Sequence, residues 1–325
     1  MNFNSKSLKT IILSIVIIFL SLSAILNFIV DPENTFHNYS IERFNKYKYK
    51  RTQLDVLYNA TKNIKNYDTI IFGTSRSAIY GSNNDIFSDK KIINLSDIVY
   101  GYPSRIYKFL QSLPPEHNIK NIYIGLDIHT MSRPKGTLED FRNDLFYRYP
   151  SSAKLLAIIY KLLPTNLSLV YLTIKNNFLG KKPLSTMDQN GVRYYEEFGH
   201  KFTYDQYSIQ KKIKFDNTEL GFLKKIEQFG KNKNINISFF TFPYSVEYYM
   251  QDYSQSDIRN LFSKILGYVS GIYNFSYINH LTKNRNNYFN RKHHNHNFDT
   301  FIKRALVKKE KSFMLNGEVV FTYDE

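Results

Sequence analysis

Several stretches of this chain are apolar without alternation and only as long as a β-strand. "DTIIFG" (residues 68–73) is the clearest. A strand with one wet face alternates apolar and polar residues, whereas a strand buried on both faces reads as one continuous apolar run. "KIINLS" (91–96), "NIYIGLDI" (121–128) and "ISFFTFP" (237–243) repeat the pattern, and "FSYIN" (275–279) is expected as the last strand. Segments of helical period lie between them. Leu54, Leu57, Tyr58 and Thr61 recur at i, i+3, i+4 and i+7 within residues 51–64. A helix should open at Pro103 and stop at Pro114-Pro115, and two more are expected over 219–231 and 256–269. Strands alternating with helices predict a three-layer α/β/α domain around a mostly parallel sheet.

A different apolar run sets the compartment. Residues 10–30, "TIILSIVIIFLSLSAILNFIV", carry no charge over 21 positions. As a helix this run would span roughly 31 Å, which matches a bilayer core. Lys6 and Lys9 precede it and Asp31 closes it, so residues 1–9 should stay cytoplasmic and the rest lie outside. A cleaved signal peptide is the alternative, but the run exceeds an ordinary signal core and no A-x-A site follows. The expectation is a single-pass signal anchor in the inner membrane bilayer, then a stalk over 31–50 and the α/β domain over 51–308. A tail over 309–325 is expected to be peripheral. Residues 131–216 break the strand–helix rhythm and read as a helical insertion. Its stretch 152–174 is apolar, but Lys154, Lys161 and Pro164 interrupt it, which favours helices that cover the site or touch the bilayer surface over a second span.

The chain has no cysteine, so disulfides, a thiol nucleophile and thiolate zinc sites are excluded. Its formal charge of +16 suits nucleic acid or a surface near anionic lipid or acidic glycan. The basic residues are spread along the chain and no RNP, zinc-finger or helix-turn-helix signature is present, so no nucleic-acid partner is expected.

In doubly wound sheets, chemistry gathers beyond the carboxyl ends of the strands. Polar residues follow three expected strands: Gly73-Thr74-Ser75-Arg76-Ser77, Ser96-Asp97 and Gly125-Leu126-Asp127. Ser75 is a nucleophile only if a base takes its proton. Three of the chain's 8 histidines, His293, His294 and His296, crowd "NRKHHNHN" (290–297) after the last expected strand. They can be read as a base, as a metal cluster or as solvated loop residues; the spacing i, i+1, i+3 makes convergence on one ion difficult. No Gly-Lys-[Ser/Thr] follows the glycines near Ser75, and G-x-S-x-G is absent.

"IIFGTSRSA", "INLSDIVYGYPSR", "IYIGLDIHT" and the C-terminal histidine loop, in that order, resemble the blocks of the SGNH (GDSL-type) hydrolase superfamily. The membrane-anchored branch associated with cell-surface polysaccharide modification is the nearer likeness, and "DPENTF" (31–36) is similar to that branch. The resemblance implies a flavodoxin-like sheet with Ser75 as nucleophile and His293 as base, Asn290 standing where the family has aspartate in Asp-x-x-His. It implies an oxyanion hole of the Ser75 and Gly101 N–H groups. Asp127 stands where the third block usually offers an asparagine donor. Arg76 would bind an anionic part of the substrate, or pair with Asp127 or Asp97. The implied activity is ester hydrolysis or O-acyl (acetyl) transfer on an envelope glycan, with no metal or organic cofactor, and a membrane protein donating the acyl group is an admissible partner. A catalytically impaired glycan-binding or scaffolding protein is the alternative, since an amide at Asn290 cannot stabilise an imidazolium as a carboxylate does.

Overall fold

The computed structural model of the chain describes residues 5–32, 36, 40–48, 53–81, 86–96, 98–99, 101–132, 155, 158–159, 161–181, 185–187, 190–195, 215–251, 255–290 and 293–325. Helix α1 (Ser5–Val30) is the long apolar N-terminal segment and is mostly exposed. Then come α2 (Gln53–Lys62), β1 (Thr69–Phe72), β2 (Ile92–Asn94), α3 (Pro103–Gln111), β3 (Asn121–Gly125) and α4 (Ile128–Ser132). The described part of the insertion holds α5 (Leu167–Phe178) and a hairpin of β4 (Ser185–Met187) and β5 (Arg193–Tyr195). The chain continues through α6 (Asn217–Lys233), β6 (Asn236–Phe240), α7 (Val246–Gln251), α8 (Gln255–Leu266), β7 (Ile272–Asn274) and α9 (His280–Lys283). It ends with β8 (Tyr288–Asn290), β9 (His293–His294), α10 (Asp299–Leu306), β10 (Ser312–Leu315) and β11 (Glu318–Asp324).

Seven strands form the main sheet in the order β10-β11-β7-β6-β3-β1-β2. The five strands β2-β1-β3-β6-β7 are mutually parallel, which is the flavodoxin-like order with its switch point between β1 and β3. Every residue of β1, β2 and β7 is buried, as the unbroken apolar runs require of strands covered on both faces. α3 and α6 pack on each other over this sheet. The buried carboxylate of Glu219 on α6 joins them, accepting from the Ser104 N–H at 2.9 Å and the Ser104 hydroxyl at 2.7 Å. An anion suits the first turn of α3, where N–H groups lack helical partners.

Two expectations are corrected at the C-terminus. The fifth parallel strand is Ile272–Asn274, and residues 275–279 are irregular instead of forming a strand. The tail is not merely peripheral: β10 and β11 fold back as a hairpin, and β11 adds antiparallel to β7, Thr322 facing Asn274. Asn316 and Gly317 both take positive φ, 51° and 79°, as a two-residue type I′ turn demands. An Asn-Gly pair between apolar runs is the strongest short hairpin signal a sequence holds, and "FMLNGEVVF" (313–321) carries it.

Candidate active site

The loop after β1 is shaped by close backbone approach. Gly73 has φ +150°, and a Cβ there would lie 2.2 Å from Ser77 Oγ. Gly101 has φ +64° and sits against Gly73, where a Cβ would come within 2.9 Å of the Gly73 carbonyl carbon. Only glycine fits both demands at once. The turn is closed by the Ser77 N–H donating to Thr74 O at 3.0 Å and by Ser77 Oγ donating to Ser96 Oγ at 2.9 Å. Buried Asn94, the last residue of β2, ties the far side through Nδ2 to Ser77 O (2.8 Å) and Tyr80 O (2.6 Å). The insertion hairpin meets the same loop: the Arg193 N–H donates to Ala78 O at 2.7 Å, and the Asn94 N–H to Asn190 O at 2.8 Å.

Ser75 is left half-buried at the carboxyl end of β1, with its Oγ 2.8 Å from Nε2 of His293. The two residues are 218 positions apart in sequence. His293 reaches this place from a short antiparallel ribbon of β8 and β9, in which Asn290 is its register partner. Neighbouring strand residues point to opposite faces, so His294 turns away from the site. It is buried against Phe242 and Phe298, and its Nε2 meets the Tyr80 hydroxyl. Burial, helped by the charges of His293, Arg76 and His296, lowers its pKa to about 3, so it stays neutral. His296 is exposed and bonds Asp299 Oδ2 through Nδ1 at 2.9 Å; that hydrogen bond raises its pKa. The crowded histidines therefore separate into three roles. Among the described residues no three His, Asp or Glu side chains gather as metal ligands.

Arg76 and Asp127 form a buried ion pair behind the serine, and Asp127 Oδ2 also accepts from Thr74 Oγ1 at 2.8 Å. The guanidinium lies 5.0 Å from the ring centres of both Tyr244 and Tyr248, which stack on each other at 4.9 Å. Burial disfavours the Arg76 charge, but Asp127 and the two phenols outweigh it and raise the pKa. The Asp127 bonds described are accepted ones, so this carboxylate anchors the serine loop and offers no donor in that state. Asp97 lies outside the described residues.

Thr74 stood in the strand-end cluster without an assigned role, and three further supporting residues escaped the sequence reading: Tyr80, Tyr244 and Tyr248. The last two follow β6 at the carboxyl-end edge of the sheet, a position that does attract attention in a doubly wound fold. Tyr80 carries no local signal, because its partner His294 is 214 residues away.

What the site can do follows from this arrangement: a hydroxyl at a strand end, an imidazole in hydrogen-bond contact, and backbone N–H groups at a glycine-lined turn are the parts of nucleophilic acyl chemistry. Comparisons of the chain with protein-family models, with curated proteins and with solved structures found no match in any of the three.

Proposed function

We propose that the protein is a membrane-anchored SGNH-type serine hydrolase or O-acyltransferase acting on an ester of a cell-envelope glycan. The observation that carries this reading is the 2.8 Å approach of Ser75 Oγ to His293 Nε2 at the switch point of a flavodoxin-order sheet. In the proposed reaction Nε2 takes the Ser75 proton while Oγ attacks the ester carbonyl. The N–H groups of Ser75 and Gly101 stabilise the oxyanion, each worth roughly 3–4 kcal/mol in such sites. Collapse of the tetrahedral intermediate breaks the ester C–O bond, and the leaving alkoxide takes its proton from His293. Water or a sugar hydroxyl, deprotonated by the same nitrogen, then releases the acyl group from Ser75. The glycan as substrate rests on the resemblance of the strand-end blocks. An extracytoplasmic body rests on the exposed apolar helix α1, whose first turns carry Lys6 and Lys9 ahead of its uncharged run.

The test is labelling of the full-length protein with a fluorophosphonate. Wild type should form a stable adduct, Ser75→Ala none, and His293→Ala should react more slowly by about two orders of magnitude or more. Absence of a Ser75-dependent adduct in folded protein overturns the enzymatic reading. The second reading, a glycan-binding protein without catalysis, is favoured by one observation: the residue registered opposite His293 is the amide Asn290.

A further inference from the structure

Helix α5 is built inside out for a helix in water. Its buried positions are Val170, Thr173 and Asn177, two of them polar. Tyr171, Leu172, Phe178 and Leu179 are exposed, Phe178 to 72%. At 100° per residue these four fall within one arc of about 120°, with Lys175 at its middle and Val170, Thr173 and Asn177 opposite. The Lys175 ammonium lies 5.7 Å from the centre of the Tyr171 ring. Leu155, Ile159 and Leu163, just upstream, are exposed as well. A soluble helix places its apolar residues on the other side.

The position of α5 explains the inversion. It packs beside the carboxyl-terminal end of α1, and so does the turn at Pro164–Asn166 before it. Asn27, within the last turn of α1, donates Nδ2 to the carbonyls of Leu162 (3.3 Å) and Leu163 (3.1 Å). Asn45 Nδ2 donates to the carbonyls of Ile29 (3.2 Å) and Val30 (3.3 Å), and Lys48 pairs with buried Asp31 at 3.3 Å. Asn177 of α5 takes the Tyr47 N–H at 2.6 Å and gives its own Nδ2–H to the Tyr47 carbonyl at 2.8 Å. These bonds form a polar collar around the end of the apolar span. The last carbonyls of a helix need partners, and in a membrane they find them where the hydrocarbon ends. The collar therefore marks the level at which α1 leaves lipid, and α5 is tied to that level.

We propose that α5 is an interfacial helix. Tyr171, Leu172, Phe178 and Leu179 enter the boundary between headgroups and acyl chains of the same bilayer that α1 crosses, and Lys175 extends its charge to the phosphate layer. The inference rests on α1 being an uncleaved span. Its consequence is orientation: one tether lets a body swivel, whereas a tether and an adjoining interfacial helix hold the sheet, and the site at its edge, at a fixed tilt over the membrane.

The absence of native cysteine makes the test direct. Full-length protein carrying a single Phe178→Cys, Tyr171→Cys, Leu13→Cys or Lys231→Cys is labelled with an environment-sensitive nitrobenzoxadiazole dye. It is then placed in vesicles of phosphatidylethanolamine and phosphatidylglycerol. Labels at positions 178 and 171 should emit at shorter wavelength than the label at 231. Shallow nitroxide lipids should quench them about threefold more strongly, as expected of an interfacial helix. The label at 13, inside the apolar span, should be quenched by nitroxide lipids. Water-like labels at 171 and 178, with the label at 13 in lipid, overturn the interfacial helix and leave the anchor standing. A label at 13 that no lipid quenches overturns the anchor reading and the inference with it. Short-wavelength emission at 171 and 178 without lipid quenching means that protein, such as a second copy, covers the face, and this too overturns the proposal.

Discussion

The loop that carries Ser75 is fixed from the sheet, through Gly73 against Gly101, through Asn94 and through the Arg76–Asp127 pair. The ribbon that carries His293 is held by local turns and one deep partner. Asn295 caps the turn that follows, with its N–H on Asn287 O at 2.9 Å, and His294 is pinned by Tyr80. The Ser75 loop is thus braced by the core, while His293 is brought to it by a two-residue strand whose other residue is buried. Damage on the serine side should cost stability first. Damage on the histidine side should cost the position of the base first, with a smaller effect on folding.

The sharpest break is Arg76→Ala. It leaves the Asp127 carboxylate buried without its guanidinium, and removing one partner of a buried pair typically costs about 3–5 kcal/mol. Urea unfolding should report that loss, and the Arg76→Ala/Asp127→Ala double variant should lose less than the sum of the singles. A silent Arg76→Ala would instead mark the guanidinium as a group kept for substrate. Next is Gly101→Ala, which asks a Cβ to sit 2.9 Å from the Gly73 carbonyl carbon at positive φ. About 2–3 kcal/mol of destabilisation is expected, again by urea unfolding, with loss of Ser75 labelling because the turn must shift.

These two sites show what a sequence can and cannot display. Strands β1, β2, β3 and β6 were legible because burial on both faces forces an unbroken apolar run. Ser75 was legible because it follows such a run directly. β7 was misplaced by a few residues, because Ile272, Tyr273 and Phe275 give both readings of the segment the same apolar character. Tyr80 with His294, Glu219 with Ser104 and Thr74 with Asp127 were not legible, because each is a contact between distant positions with no periodic trace. The inverted face of α5 was in the sequence only as apolarity; which side faces out depends on α1.

On the histidine side, pH gives the next test. Unfolded histidine takes a proton near pH 6.5, while buried His294 stays neutral down to about 3. Between these values the unfolded chain binds more protons, so the stability that His294 contributes is present above pH 6.5 and is lost as pH falls. The loss is roughly 1.4 kcal/mol per pH unit, or about 2 kcal/mol by pH 5. His296 works the other way. Its raised pKa gives stability below the unfolded value that fades as pH rises through the folded one, and its exposure keeps that effect small. Wild type should therefore lose more stability between pH 7 and pH 5 than His294→Gln, measured by urea unfolding. Equal acid sensitivity in both would mean that the ribbon opens enough to hydrate His294.

The mildest change bears on the base itself. Asn290 is paired in register with His293, and replacing it by aspartate adds a negative charge to the strand opposite the histidine. A negative charge stabilises the imidazolium that forms when Ser75 gives up its proton, so Asn290→Asp should raise the rate of Ser75 labelling about tenfold, or roughly 1.4 kcal/mol in the barrier. The same charge raises the pKa of His293, so the neutral imidazole that the reaction needs appears at higher pH, and the midpoint of the rate–pH profile should move upward. A purely structural Asn290 would alter unfolding without moving that midpoint. Rate and midpoint shifting together, with stability nearly unchanged, would show that the ribbon sets the chemistry of the base while the sheet holds the serine in place.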